Sequence, residues 1–216
     1  MAGLPPITAN VTNLTSQALL CVGSLFSSLK DIKHHYKKTL LYFCLLLVGA
    51  VLGTIIVLIE SSSSFAKIVP FFVLIATCLI LKPKSKHPKI ASPRKAFWIK
   101  VGTLMAVFLL GIYCAYFGAG SGIVFLALMA IVSHEKFRTY NSIRNVAVSG
   151  PAIISAVVYA IKAPVDWFIV VPLGIGMLIG GYLGPIIVRH VNTKSIQRFV
   201  VLCGLILTIY LFTKAY

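Results

Sequence analysis

The sequence predicts an all-α, polytopic membrane protein, and two observations lead to that prediction. Hydrophobic residues make up 59% of the 216 residues, whereas charged residues make up only 11%. Apolar stretches of about 20 residues recur along the chain, which is the length that a helix needs to cross the hydrocarbon core of a bilayer. We therefore predict about seven transmembrane helices, a half-helix beside a glycine-rich break, and a multi-pass location in the cell membrane.

The first half of the chain is predicted to hold three spans. They cover approximately residues 10–29, 39–59 and 68–81. The first begins with Asn, Thr, Ser and Gln residues, which makes its start unusually polar for a membrane segment. The second ends at Glu60, where a serine run follows. Because residues 82–96 are rich in lysine and proline, we divide the chain into an N-terminal repeat with a cytoplasmic linker, residues 1–95, and a C-terminal repeat, residues 96–216.

The second half is predicted to begin with a long apolar stretch, Trp98–Val132, that contains the glycine-rich break. A span at about Thr139–Ile161 is followed by Pro164-Val165-Asp166-Trp167, which has the composition of an interfacial turn. Two more spans are expected, one that ends near Val188 and a last one that reaches Phe212.

The positions of lysine and arginine orient these spans. The chain has 20 Lys and Arg but only 4 Asp and Glu, for a formal net charge of +16. Seventeen of the 20 lie in the loops near 30–38, 82–100, 136–144 and 189–198, which places those loops in the cytoplasm. Topology thus explains the charge, so we expect no nucleic-acid partner, whereas the basic face should attract anionic lipid head groups. The dispersed cysteines and the loop histidines predict no metal site and no cofactor.

The glycine-rich break is Tyr116-Phe117-Gly118-Ala119-Gly120-Ser121-Gly122. Each glycine costs about 1 kcal/mol against alanine in a helix interior, and the charge rule requires residues 100–132 to leave the cytoplasmic side and return to it. We therefore predict two half-helices that meet at the break, where protein or a water-filled cavity satisfies the backbone. The bare N–H groups of the second half-helix favour an anion. The alternative is a small-residue packing contact between helices.

An internal repeat predicts the architecture. Residues 49–57 (GAVLGTIIV) and 180–188 (GGYLGPIIV) are identical at six of nine positions. The same offset along the chain places Asn10 on Asn141 and the span at 68–81 on residues 199–212. Because the charge rule gives paired spans opposite directions, we predict inverted-topology repeats, which are typical of secondary transporters with a site at the midplane. A chance match between two spans rich in Gly, Leu and Ile is the alternative.

The offset leaves one segment without a counterpart. Met1 aligns with Val132, so the first repeat holds no partner for the glycine-broken segment of the second. Three explanations are open: a start upstream of Met1, a fragment of a longer chain, or the loss of one re-entrant element.

Five motifs, taken together, resemble one family over nearly the whole chain. They are Gly3–Asn13, the glycine-rich break, Asn141–Asn145, Val165–Trp167 and Gly176–Gly184. The combination resembles the TauE/SafE sulfite exporter family, and the resemblance implies an anion permease for sulfite, sulfonates or related sulfur compounds. Two departures are visible. The family's first glycine motif, expected before Gly3, is absent, and Pro151 stands where many members carry a polar residue.

Polar residues within the spans are the candidates for substrate binding, because a polar group in the bilayer is costly. They are Asn10, Thr12, Asn13, Gly118, Gly120, Ser121, Gly122, Asn141, Arg144 and Asn145. We expect the polar residues of the first repeat to face those of the second across a shared pocket. The asparagine amides would donate to anion oxygens, Arg144 would hold an oxyanion through two hydrogen bonds, and the glycines would supply backbone donors. The alternatives are a surface anchor for Arg144 and helix caps for Asn10 and Asn141.

Other functions and partners were weighed on the same residues. A membrane scaffold, or a truncated and non-transporting remnant of a permease, would fit the segment that lacks a counterpart. An enzyme is not expected, because none of the four acidic residues neighbours a buried histidine and no nucleophile–base pair is visible. Glu60 and Asp166 are expected to be solvated charges at the outer ends of spans. The expected partners are a small anionic substrate and the lipid bilayer, and a homo-oligomer is left open.

Overall fold

The structure, a computed structural model, describes residues 4–28, 32, 35–61, 63–65, 67, 93–118, 120–132, 137–188, 202, 205, 206, 209 and 213. The described part is helical and contains no strand. Its helices are α1 (Pro6–Ser28), α2 (Tyr36–Ile59), α3 (Pro93–Tyr116), α4 (Ser121–Val132), α5 (Phe137–Lys162) and α6 (Trp167–Val188). The predicted span at 68–81 and most of the last span lie outside the described residues.

Three of the described helices are long and apolar enough to cross a membrane. They are Tyr36–Ile59, Ala96–Tyr116 and Thr139–Lys162, and Trp167–Leu183 forms a shorter apolar helix. At 23 residues, α1 is long enough as well, but its polar side chains lower its hydropathy. Six of these side chains are buried: Asn10, Thr12, Thr15, Ser16, Ser24 and Ser28. This polar helix therefore lies inside the bundle, and the prediction of an all-α, polytopic membrane protein is confirmed.

The helix boundaries follow the repeat. The offset that pairs position 49 with position 180 also pairs Pro6, where α1 begins, with Phe137, where α5 begins. In the same way it pairs Tyr36, the first residue of α2, with Trp167, the first residue of α6. The helices α1 and α2 thus correspond to α5 and α6.

The two repeats run in opposite directions. The end of α1 meets the start of α5 through the hydrogen bond from Asn145 Nδ2 to Ser28 Oγ, 2.8 Å long. Near the other end of α1, Val11 packs in one buried cluster with Tyr159 of α5. The equivalent helices α1 and α5 are therefore antiparallel.

The helices of the two repeats interlock. In the described part, the most extensive contacts pair α2 with α3, α1 with α6, α1 with α5 and α2 with α5. Each of these pairs joins a helix before residue 60 to a helix after residue 92. A buried hydrogen bond of 2.9 Å from Thr54 Oγ1 to Ser155 Oγ also links α2 to α5. Each repeat thus completes the core of the other.

Glycines allow two of these helix pairs to pack so closely that their backbones are in contact. A Cβ built on Gly49 or Gly53 of α2 would meet backbone atoms of α3, and one built on Gly111 of α3 would meet the backbone of Leu46. In the second repeat, a Cβ on Gly181 of α6 would lie 2.7 Å from the Leu20 carbonyl oxygen of α1. Small residues are common at helix contacts in membranes. Here the glycines of α2 pack against α3, whereas the similar glycine stretch of α6 packs against α1.

Candidate functional site

The glycine-rich break separates α3 from α4. Gly118 and Gly120 have φ values of 72° and 73°, in the left-handed region that side chains rarely adopt. The Gly118 N–H group donates to the Tyr113 carbonyl oxygen at 3.1 Å, and the Ser121 N–H group donates to the Gly118 carbonyl oxygen at 3.2 Å. The carbonyl group of Gly120 accepts from the N–H group of Val124, which begins the ladder of α4. The chain is therefore not one continuous helix, as the glycine spacing predicts.

Protein donors cap the last carbonyl groups of α3. Asn10 Nδ2 donates to the Tyr116 carbonyl oxygen at 2.8 Å. The Tyr159 hydroxyl group donates to the Ala115 carbonyl oxygen at 2.7 Å. Asn10 thus acts as a cap, but for a helix of the other repeat rather than its own. Because the negative end of the α3 dipole is satisfied by α1 and α5, the break needs no cation at this end.

The start of α4 has a different neighbour, the guanidinium group of Arg144. A Cβ built on Gly122 would overlap Nη2, Cζ and Nε of Arg144, so the guanidinium group occupies the space that a side chain would fill. The Nε atom is buried and makes no hydrogen bond with any residue of the described part. A surface anchor does not fit this position, because the group is turned inward. The positive end of a helix dipole and an arginine therefore converge.

Asn145 holds this guanidinium group in place. Its Oδ1 atom accepts a hydrogen bond of 3.0 Å from Arg144 Nη1, and its Nδ2 atom donates to the buried Ser28 hydroxyl. The amide thus ties the arginine to the end of α1. Because Nη1 is used in this way, the edge formed by Nε and Nη2 is the one that lies over Gly122.

Helix lengths place this contact well inside the bundle. Gly122 is ten residues before the end of α4 at Val132, which corresponds to about 15 Å along the helix. Arg144 is seven residues after the start of α5 at Phe137, or about 10 Å. Both of those helix ends adjoin predicted cytoplasmic loops. A distance of about 10–15 Å from these ends falls within a hydrocarbon core of about 30 Å.

The expected approach of Asn10 and Asn141 is wrong. Asn10 bonds the end of α3 at Tyr116, at the same level as Tyr159 of α5. Asn141 is 18 residues before Tyr159 on the same helix, a distance of about 27 Å. The inverted repeat is the physical reason, because its symmetry carries equivalent residues to opposite ends of an antiparallel pair. Asn141 is half-buried, and its side chain makes no hydrogen bond with the described residues.

Thr12 and Asn13 are not brought to the Arg144 contact either. Thr12 Oγ1 accepts a hydrogen bond of 3.0 Å from the Asp166 N–H group. Asp166 caps the start of α6, because its Oδ1 atom accepts from the N–H groups of Phe168 and Ile169 at 3.0 and 3.3 Å. Thr12 thus braces α6, and Asp166 is a helix cap rather than a free loop charge. Asn13 is half-buried without a side-chain hydrogen bond to any described residue.

A small cavity borders the break on the side of α1. Its volume of about 20 Å³ leaves room for about one water molecule, so a larger solute would fit only if the helices moved. Its polar lining is Gln17, Cys114, Ser121 and Ser155. Pro151 also lines it, and this proline removes the backbone donor that would reach the carbonyl group four residues earlier in α5.

Sequence reasoning missed Gln17. It lies seven residues after Asn10, so both residues share one face of α1, and that spacing could have identified it. Tyr159 and Ser28, which bond α3 and Asn145, carry no such signal. Their partners are 44 and 117 residues away in the chain.

Removal of either donor to α3 is expected to destabilise the protein. Asn10→Ala and Tyr159→Phe each leave a buried carbonyl group unpaired, at a cost of about 1–3 kcal/mol. Thermal unfolding in detergent measures this effect. Asn13→Ala and Tyr182→Phe are matched controls, because the Asn13 side chain makes no hydrogen bond with a described residue and Tyr182 is exposed. Equal melting temperatures for each variant and its control would contradict the capping role.

Comparison with known proteins covers nearly the whole chain. The family model described as "Sulfite exporter TauE/SafE" matches residues 1–211. A relative named "Probable membrane transporter protein ORF9", from Sinorhizobium sp, is 28% identical over 222 residues, which cover 98% of this chain and 80% of the relative. No solved structure matches the chain. The match includes both half-helices and the Arg144 contact.

Proposed function

Because the chain belongs to the sulfite exporter TauE/SafE family and is a multi-pass membrane transporter, we propose that its substrate is a small sulfur-containing oxyanion such as sulfite or a sulfonate. In this proposal Arg144 and the start of α4 form the central binding site. Gly118, Gly120, Ser121 and Gly122 shape the break and supply hydrogen-bond donors, and Asn145 positions the arginine.

One observation carries the proposal: a buried guanidinium edge, with no hydrogen-bond partner among the described residues, lies against the N-terminal end of α4. Burial of a charge is costly unless it is paired. The described part contains two acidic residues, Glu60 and Asp166. Glu60 follows α2 and Asp166 precedes α6, at the end of the bundle where Asn10 and Thr12 lie. An anion bound beside Arg144 and the start of α4 would compensate the guanidinium charge and the helix dipole together.

The shape of the free edge favours an oxyanion. Nε and Nη2 present two parallel N–H groups, which match two oxygens of one planar or pyramidal group. A sulfite or sulfonate has three oxygens on sulfur, so one remains for the Ser121 hydroxyl group or a backbone N–H group at Gly122. A halide would use only one of these donors. The geometry therefore supports selection of oxyanions over simple monatomic anions.

Flux into proteoliposomes tests this function. Purified protein in vesicles is expected to carry labelled sulfite and methanesulfonate well above the rate in protein-free vesicles, and to carry chloride poorly. Acetate, which offers two oxygens, should be intermediate. The same rate for all four anions would contradict the proposed oxyanion site. No flux above background for any of them would favour the non-transporting scaffold or remnant.

A further inference from the structure

One acidic residue near the break, Glu60, has no role in the proposed anion site. Glu60 follows α2 in an extended conformation, with φ −84° and ψ 148°. Its side chain is half-buried, and its Oε2 atom is buried without a hydrogen bond from the residues that the structure describes. This position differs from the solvated loop charge that the sequence predicts. A carboxylate is expensive in an apolar bundle unless several donors surround it.

Glu60 adjoins an apolar cluster at the end of α3, the break cluster. Its buried members are Val11, Leu14, Val57, Phe65, Tyr116 and Tyr159. Val57 lies one turn before Glu60, and Phe65 follows five residues later and packs its ring on Tyr116, with centroids 5.4 Å apart. The carboxyl group is thus held beside aromatic and aliphatic side chains. These side chains offer few oxygen ligands, whereas a calcium ion takes six to eight.

Tyr116 connects this carboxyl group to the break. Its hydroxyl group is near the Glu60 carboxyl group, and its backbone carbonyl group accepts a hydrogen bond from the Asn10 amide. Tyr116 is also the last residue of α3, two residues before the left-handed Gly118. A change in the charge of Glu60 would therefore alter the electrostatic environment of Tyr116, the residue at which α3 ends.

The other titratable groups at the same end of the bundle as Glu60 are either hydrogen-bonded to the protein or exposed to solvent. From α3, Tyr116 faces the carboxyl group, and from α5 the Tyr159 hydroxyl group is turned to the Ala115 carbonyl oxygen instead. The charged residues at the same end of the described helices are Lys67, Lys162 and Asp166. Both lysines are exposed, and the Asp166 carboxylate caps α6. Within the described part, Glu60 is thus the acidic group placed to exchange a proton at the break.

We propose that Glu60 is a proton-binding group that couples anion movement to protons, in symport. This inference rests on the proposed anion transport. One proton binds the Glu60 carboxylate to form the neutral acid, one anion binds at Arg144, and both are released on the opposite side. The cycle moves no net charge when one proton accompanies one monovalent anion. The neutral acid also removes a charge from the half-buried Glu60 side chain while the half-helices rearrange.

A pH gradient across proteoliposomes tests the coupling. The probe is methanesulfonate, which stays ionised at all pH values used and therefore cannot cross as a neutral acid. Potassium salts with valinomycin hold the membrane potential at zero and exclude sodium. Wild-type protein with acid outside is expected to accumulate the probe about tenfold for each pH unit of the gradient, the limit for one proton per anion. Glu60→Gln is expected to abolish this accumulation, because glutamine mimics the neutral acid but binds no proton.

Exchange of internal for external methanesulfonate, without a pH gradient, separates coupling from transport. Glu60→Gln should lose accumulation far more than exchange, whereas Glu60→Asp should keep both. Lys162→Gln is the control for an exposed charge at the same end. Undiminished pH-driven accumulation in Glu60→Gln would overturn the proton role and leave the proposed transport intact. Loss of exchange in both Glu60 variants, with normal elution of folded protein, would also overturn it. No flux in wild-type protein would refute the transport proposal itself.

Discussion

Arg144→Gln is expected to lower methanesulfonate flux by about tenfold to a hundredfold at subsaturating substrate. Glutamine removes the positive charge and the two parallel donors of Nε and Nη2. A hydrogen bond to a charged group contributes about 1.5–3 kcal/mol, and about 1.4 kcal/mol corresponds to a factor of ten. Arg144→Lys keeps the charge but not the paired donors, so its flux should be intermediate. Initial rates in proteoliposomes with matched protein content measure the effect.

The control for this substitution is Arg94→Gln, which removes an exposed arginine near the start of α3. It should leave the flux unchanged, because Arg94 is far along the chain from the break and open to solvent. Wild-type flux in Arg144→Gln would contradict the proposed site. Asp31→Asn provides a further check, since Asp31 follows Ser28, to which Asn145 bonds. If Arg144→Gln and Asp31→Asn unfold the protein to the same extent, an internal ion pair explains the arginine instead.

Gly122→Ala is expected to reduce the flux at least as strongly as Arg144→Lys. The new methyl group would fall on Nη2, Cζ and Nε of Arg144, so the guanidinium group must leave the start of α4. Overpacking of this kind costs about 1–3 kcal/mol, which should also appear as a lower melting temperature. Gly102→Ala is the matched control, because a Cβ on Gly102 meets nothing within 4 Å.

A double variant separates displacement of Arg144 from general damage to the break. If alanine at position 122 acts by moving the guanidinium group, then Gly122→Ala combined with Arg144→Gln should carry about the same residual flux as Arg144→Gln alone. Residues in direct contact give such non-additive effects. Fully multiplicative losses would mean that the two residues act independently, and would count against the contact as a functional unit.

The capping pattern of the two half-helices explains why the site is at α4 rather than at α3. Asn10 and Tyr159 already satisfy the last carbonyl groups of α3. The start of α4 instead meets a cation. A cation-binding break would show the opposite arrangement, with free carbonyl groups at the end of α3. The polarity of the break thus agrees with an anion as the substrate of this transporter.

The sequence by itself determined the class of the protein, the approximate positions of the described spans, the interruption at Gly118–Gly122 and the repeat that pairs residues 49–57 with 180–188. These features depend on local properties: hydropathy over about 20 residues, the poor fit of glycine to a helix interior and the composition of loops. For the same reason, the starts of α5 and α6 follow those of α1 and α2 at the offset that these two glycine stretches indicate.

Only the tertiary structure decided which polar side chains meet. The repeat made Asn10 and Asn141 equivalent, and the antiparallel packing of α1 on α5 placed them about 27 Å apart. Arg144 could have reached the membrane surface, but the glycine at position 122 leaves a space that its guanidinium group fills. Such contacts depend on the crossing of helices far apart in the chain, because a side chain's neighbours are set by packing across the bundle rather than by its own segment.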